Sequence, residues 1–183
     1  MLIYAETERL ILRELLPSDA QSIFELDSDP EVHRYLGGGL AQNIGQSRQY
    51  IDEIRRDYLT KGIGRWAVIE KTSLCFAGWA GLKLETKTVN LHTHFYDLGF
   101  RLATSFWGKG YATEAAIAAL NQGFEKLNIS EIFADADHNN VRSKRVLEKA
   151  GLKLIESFDD EGYKVDWYKI TKQEWQTRNP WHI

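Results

Sequence analysis

Cysteine is almost missing from this chain of 183 residues: Cys75 stands alone, so no internal disulfide can form. A single thiol fits a reducing compartment more easily than an oxidising one. Proline is scarce as well, at three residues, and no stretch rich in Pro, Gly or Ser marks a linker. Positive charge is not in excess either. The formal net charge is −3 and no long basic run occurs, which removes the electrostatic footprint of a nucleic-acid binder. No run approaches the ~18 consecutive apolar residues of a transmembrane helix. The opening "MLIYAETERLILREL" lacks the basic, apolar, small-residue layout of a signal peptide. Repeats and low-complexity tracts are lacking, as are the Walker spacing G-x-x-x-x-G-K-[ST] and the dinucleotide spacing G-x-G-x-x-G. The expectation is a cytoplasmic protein with neither nucleic acid nor membrane as partner.

What is present is core-forming material. Apolar residues make up 43% and aromatics 12%, with six tryptophans, which suits one compact domain. Leu10 and Leu12, flanked by Arg9 and Arg13, read as a strand. Pro17 with Ser18 or Asp19 starts a helix whose stripe is Ile23, Phe24 and Leu26. Asp29 and Pro30 open a helical turn or two, and Gly37, Gly38 and Gly39 break it. Tyr50, Ile51, Ile54, Tyr58 and Leu59 recur at helical spacing between Gly45 and Lys61, and Gly62 fits the stop. "GRWAVIE", "CFAGWAGLKLE" and "HTHFYDLGFRLA" read as antiparallel strands. A further helix presents Ala116, Leu120, Gly123 and Leu127, with Ile117 and Phe124 beside them. "SEIFADADH" is a strand, and "NNVRSKRVLEKAG" a short helix with an Asn cap and Gly151 at its C-terminal end. "GLKLIESF" and "GYKVDWYKITKQEW" close the domain as a hairpin and short tail. The sum is one mixed α/β domain.

Two stretches carry chemistry. In "FWGKGYATEAA", Phe106 to Ala116, a strand gives way to a helix through Gly108 and Gly110. Small residues there let a ligand approach the backbone, and the helix start contributes free N–H donors and its dipole. A pyrophosphate suits that arrangement, and an ordinary tight turn is the plainer reading. In the helix after "NN", Asn140, Ser143, Leu147 and Ala150 share one face. Its apolar half packs inward and brings Asn140 and Ser143 toward the interior or a cleft. Capping accounts for one asparagine but not for Ser143 as well.

The ordered blocks "RLILREL…DA…DPEVHRYL", "LGFRLATSFWGKGYATEAA…ALNQGF" and "NNVRSKRVLEKAGL" resemble those of the GNAT superfamily of acyl-CoA-dependent N-acetyltransferases. They resemble most its branch of ribosomal-protein-alanine N-acetyltransferases. The resemblance spans residues 7–175 and leaves 176–183 as a C-terminal tail. It implies a central, mostly antiparallel sheet with a splayed strand pair, flanked by helices. It implies that Phe100, Arg101 and Leu102 lay the pantetheine of acetyl-CoA along their backbone. Trp107, Gly108, Lys109, Gly110, Tyr111 and Ala112 would wrap the pyrophosphate, and Asn140 and Ser143 match the family's N-x-x-S block. Trp107 departs from the usual Gln or Arg, and the family's familiar catalytic tyrosine has no match.

Acetyl transfer to an amine needs a neutral amine, a polarised carbonyl, held geometry and a departing thiolate. Proximity can supply ~7–11 kcal/mol and one oxyanion donor ~3–4 kcal/mol, so positioning outweighs side-chain catalysis. Asp97 is the candidate base, on one strand face with Phe95 and Gly99. The plainer reading is an Asp paired with a nearby cation. Arg101 lies ~13 Å along the strand at ~3.3 Å per residue and is no direct partner. Ser143 is the candidate proton donor. His92 and His94 form H-x-H on a strand face, but no third ligand suggests itself and no metal is expected. Cys75 reads as a core or turn residue, and Glu114 as complementing a helix dipole. Lys109, Arg142, Lys144 and Arg145 are either phosphate contacts or solvated surface. Gly37–Gly39 is an acceptor gate or a plain connector. The acceptor is a protein or peptide N-terminal amine or a small-molecule amine such as an antibiotic or polyamine. The other readings are a non-catalytic acyl-CoA sensor and a nucleotide-binding module. A monomer or homodimer is expected.

Overall fold

The computed structural model describes residues 1–160 and 162–178. Eight strands in these residues form one sheet: β1 (Ile3–Glu6), β2 (Leu10–Arg13), β3 (Arg65–Glu70), β4 (Phe76–Glu85), β5 (Phe95–Leu102), β6 (Glu131–Asp137), β7 (Lys153–Asp160) and β8 (Tyr163–Thr171). Their order is β1-β2-β3-β4-β5-β6-β8-β7. Every neighbouring pair is antiparallel except β5 with β6. The expected mixed α/β architecture with a splayed strand pair is therefore present.

Helices cover both faces. On one side α4 (Tyr111–Asn121) and α5 (Val141–Ala150) bury Ala115, Ala116, Ala119, Leu120 and Leu147 against Leu82, Leu98, Ile132, Ala134 and Ile170. On the other, α1 (Ala20–Ser28) and α3 (Ile44–Lys61) press Ile23, Leu26, Ile51 and Ile54 onto Ala67, Ile69 and Trp79. Each fully buried Leu or Ile side chain among these contributes about 1.5–3 kcal/mol. A smaller aromatic cluster of Phe95, Phe133 and Trp167 lies where α1 and α3 do not reach. The short α2 (Pro30–His33) starts as its residues dictate, with the Asp29 carboxylate accepting the Glu31 N–H at 2.9 Å. Gly62 and Gly151 end α3 and α5 at φ +69° and +106°, in the left-handed region glycine tolerates.

Some expectations are corrected. Strand β1 and the final helix α6 (Lys172–Arg178), which buries Trp175, were not foreseen. The expected tail begins on α6, and its residues 179–183 lie outside the described ones. Leu59, placed on the apolar stripe of α3, is 88% exposed. Leu127 is 45% exposed because Gln122–Lys126 is a π turn, in which the Leu127 N–H bonds the Gln122 carbonyl five residues back at 3.1 Å. The extra residue rotates the face past Gly123 and Phe124. His92 and His94 precede β5 in a loop instead of sharing a strand face, and the His92 ring stacks on Trp167 at 5.9 Å. Cys75 is exposed in a turn. No helix among the described residues is long and apolar enough to cross a membrane.

One buried charge ties α5 to the sheet. Asp166 on β8 is 1% exposed and accepts from His138 Nδ1 at 2.8 Å, Lys144 Nζ at 2.7 Å and Ser157 Oγ at 2.6 Å. An ionised carboxylate only accepts, so the His138 proton sits on Nδ1. Burial alone would raise the Asp166 pKa. The hydrogen bonds from His138, Lys144 and Ser157 outweigh it and hold the group far below the usual carboxylate range. A depressed folded-state pKa gives stability that is full above the unfolded value of ~3.9 and lost as pH falls further. Asp166→Ala should destabilise the fold by about 3 kcal/mol, the low end of the ~3–5 kcal/mol for a broken buried pair, since Lys144 can reach water. Urea midpoints across pH check it: wild type should lose part of its advantage over the variant below pH ~4, and equal midpoints at pH 7 would contradict the anchoring role.

Candidate active site

β5 stops at Leu102, one 3-10 turn follows at Thr104–Phe106, and Gly108 and Gly110 then take φ +74° and +81° before α4 begins. Gly110 is the cap residue of α4, and no side chain satisfies the helix start. The first-turn N–H groups of α4 are thus donors without intrahelical partners. A Cβ added to Gly108 would meet nothing within 4 Å, and one added to Gly110 would first meet Arg9 Nη2 at 3.5 Å. The turn is a cradle open on the outside. It is braced from the β1–β2 turn: Arg9 Nη1 donates to the Lys109 carbonyl at 2.9 Å. Arg9 also pairs with Glu114 at 2.5 Å, and its guanidinium lies 4.6 Å from the Tyr111 ring centre. Glu114 accepts further from Thr7 Oγ1 at 2.6 Å and the Arg9 N–H at 3.0 Å. Burial would raise the Glu114 pKa, but these hydrogen bonds outweigh it and hold it low. Its carboxylate is thus a brace for the turn. The Tyr111 hydroxyl donates to Glu70 at 2.6 Å, a bond that raises its pKa.

Upstream of the turn the sheet opens. β5 is paired with β4 along its whole length, yet with β6 only at Asp97 and Phe133. From Leu98 to Leu102 no residue on its other edge is paired with a strand. Phe100 packs against the α4 side of the core. Trp107 Nε1 donates to the Leu102 carbonyl at 2.7 Å, and the Arg142 guanidinium of α5 lies 5.0 Å from the Trp107 ring centre. Asn140 caps α5 by accepting the Ser143 N–H at 3.1 Å. Ser143 is half-buried, and its hydroxyl makes no hydrogen bond among the described residues. Lys144 is committed to Asp166 and to the His138 carbonyl at 3.1 Å, and Lys109 lies over the Phe106 and Tyr111 rings.

The face of the sheet toward α1–α3 carries the charges. Arg65 of β3 ion-pairs with the Asp97 carboxylate. It also donates to the Asp97 carbonyl at 2.8 Å and the Gly81 carbonyl at 2.5 Å, and lies 5.4 Å from the Trp79 ring centre. Gly99 makes this fit: a Cβ there would stand 2.7 Å from the Arg65 guanidinium carbon. Arg101 points its charge away from Asp97, pairing with Asp27 of α1 at 2.5 Å and lying 5.2 Å from the Trp79 ring centre. His33 of α2 stands 3.8 Å from Asp27. Gly37, the first of the triple glycine, lies next to Tyr163 at the start of β8: a Cβ on it would be 4.0 Å from the Tyr163 ring. The loop after α2 and the β7–β8 hairpin therefore meet over this face.

Sequence reading passed over Asp135. The signal was there: "FADADH" sets Asp135 between the buried Ala134 and Ala136. Its strand lies inside the sheet, yet Asp135 is exposed to solvent at the open strand pair. Protein crowding from several elements strips part of its hydration and raises its pKa. The Asp97 carboxylate adds to the rise and Arg65 opposes it, with a balance up to about 7. Among the described residues no group of three or more His, Cys, Asp or Glu could hold a metal ion.

Comparison with known proteins is consistent in kind. Residues 9–153 match the family model described as acetyltransferase (GNAT) domain. The chain is 28% identical over 183 residues to the uncharacterized N-acetyltransferase YnaD of Bacillus subtilis, covering 94% of this chain and 99% of that protein. It is 28% identical over 195 residues to the FsC-acetyl coenzyme A-N(2)-transacetylase of Aspergillus fumigatus, covering 96% and 82%. The solved structure of RimL, described as a ribosomal L7/L12 alpha-N-protein acetyltransferase in complex with coenzyme A, superposes with TM-score 0.77. It covers 93% of this chain and 97% of that one at 15% identity, a likeness of fold.

Burial lowers the His33 pKa, the Arg101 charge lowers it further, and Asp27 opposes both. Arg101→Met should therefore move its titration upward. NMR titration of the His33 ring in both proteins reads this directly; an unmoved or lowered midpoint would refute the coupling.

Proposed function

The chain belongs to the GNAT acetyltransferase family, and from that premise we propose that it moves acetyl from acetyl-CoA directly to a primary amine, with a protein or peptide N-terminal amine as acceptor. The observation that carries the cofactor side is the uncapped start of α4, reached through two left-handed glycines just past a strand with a free edge. Backbone N–H groups there are oriented and unpaired, which is what a pyrophosphate recognises. In this reading residues 107–112 hold the pyrophosphate. The backbone of Phe100, Arg101 and Leu102 lines the pantetheine, and Asn140 and Ser143 close the site from α5. Trp107 replaces a polar side chain without loss, because its donors to an anion would be backbone ones in any case.

The amine enters on the face toward α1–α3, where Asp97 and Asp135 outnumber Arg65 and offer an ammonium net negative charge. Holding the amine against the thioester supplies the larger share of the barrier reduction, ~7–11 kcal/mol. In this reading Ser143, whose hydroxyl makes no hydrogen bond among the described residues, gives a proton to the departing thiolate. Asp97, engaged by Arg65, takes a positioning role in this proposal. A small-molecule amine is the second reading, and the similarity to the Aspergillus fumigatus transacetylase favours it.

Acetyl-CoA should raise the melting temperature, with ATP and NAD doing so much less; at ~100-fold over Kd the gain is ~2.7 kcal/mol. Gly110→Val should abolish the shift by filling the cradle, and the milder Gly108→Ala should weaken it. No shift in the wild type at millimolar acetyl-CoA, or a full shift in both variants, removes this turn from the binding site. Thiol release from acetyl-CoA across a panel of α-amino peptides, polyamines and aminoglycosides then ranks the acceptors. Binding without release on any amine would make the protein a sensor.

A further inference from the structure

β5 and β6 touch at Asp97 and Phe133 and then part. Two residues on along each parallel strand, Gly99 and Asp135 fall at the same level and on the same face as that pair. The space over Gly99 holds the Arg65 guanidinium, fixed by two backbone carbonyls, the Asp97 carboxylate and the Trp79 ring. On its other flank Asp135 is in register with Trp167 of β8, itself packed with Phe133 and Phe95. Asp135 thus stands at the fork of the two strands, between a clamped cation and an aromatic wall, with its carboxyl open to solvent.

We propose that Asp135 is the base that takes the proton from the acceptor amine, with Asp97 and Arg65 as the positioning pair that sets its readiness. This rests on the acetyltransferase reading. The ammonium form of the acceptor is drawn to the fork and passes one proton to the Asp135 carboxylate. The freed nitrogen lone pair forms the C–N bond to the thioester carbonyl, and the C–S bond breaks. Ser143 gives its hydroxyl proton to the sulfur as the thiol leaves and is restored by the second nitrogen proton, and Asp135 returns its proton to water. The charges facing Asp135 are Asp97 on β5, Arg65 on β3 and Asp160 on β7. Other charged neighbours are already paired: Lys169 of β8 with Glu131 of β6, and Arg101 with Asp27. Crowding and the Asp97 charge both favour a carboxyl that binds its proton near neutrality, as a base working at that pH requires.

The test is the pH dependence of kcat/KM for the intact protein with acetyl-CoA and its best amine from the panel. Wild type should show a rising limb near neutrality, apart from the limb at higher pH where the amine itself loses its proton. Asp135→Asn should lower kcat/KM at neutral pH by ~10²-fold or more and delete the lower limb. Its acetyl-CoA melting shift should be kept, which also certifies its fold. Asp97→Asn removes a like charge and loosens Arg65 toward Asp135, so the lower limb should move to more acid pH. A merely structural Asp97 would leave that limb in place. An Asp135→Asn enzyme with a wild-type rate and limb, or an unmoved limb in Asp97→Asn, overturns the proposal. A carbon-13 titration of the Asp135 carboxyl gives a readout without turnover: a midpoint in the ordinary carboxylate range overturns the proposal as well. Failure of the acetyltransferase reading has a separate signature, wild type binding acetyl-CoA yet acetylating no amine.

Discussion

Everything in this molecule follows from one pair of strands that cannot stay together. β5 and β6 run parallel in a sheet whose other contacts are all antiparallel, and they share a single residue pair. On the β4 side every residue of β5 is committed. On the β6 side the backbone is released just where the strand heads for the glycine turn. A released edge in the middle of a sheet would be a liability if nothing occupied it, because unpaired N–H and C=O groups buried from water are expensive. Here Asp135 is exposed at the opening, and β5 runs on from it into the glycine turn that starts α4. The helices on either side are spectators of this fork in one sense only: they decide which face takes which chemistry.

That division of faces explains how much was legible in the sequence. Local signals read well. Asp29 before Pro30, Gly62, Gly151 and the Gly108–Gly110 turn each act within a few residues, and the structure has each doing its expected backbone work. Periodicity failed where a local rule was broken from within. Leu127 lies past a π turn that no apolar pattern announces, and Leu59 sits on a helix whose far face meets water. Strand β1 and helix α6 went unseen because neither carries an apolar pattern: β1 is an edge strand with no fully buried residue, and α6 buries Trp175 alone.

The candidate site divides along the same line. Its glycine turn is a contiguous segment and could be named from composition. Its charged face is assembled by register. Arg65 reaches Asp97 because β3, β4 and β5 are aligned so that the Gly81 carbonyl accepts from its guanidinium and Gly99 leaves room for it. No spacing rule joins residues 65 and 97. Asp135 became visible only when its strand was placed beside the gap. Even the candidate base of the first reading, Asp97, changes its proposed part through a partner that sequence distance hid.

The Trp107 indole, bonded to the end of β5 and facing Arg142, ties the segment that follows β5 to the helix that follows β6. A cation facing an aromatic ring is worth about 0.5–1 kcal/mol at an exposed site and about 2 kcal/mol when desolvated. A contact of that size is made and broken at thermal cost. Since the ring has no net charge, salt screens it less than it would a carboxylate–guanidinium pair. Its making and breaking is the swing of one arginine side chain, on the fast clock of rotamers instead of the slow clock of domains.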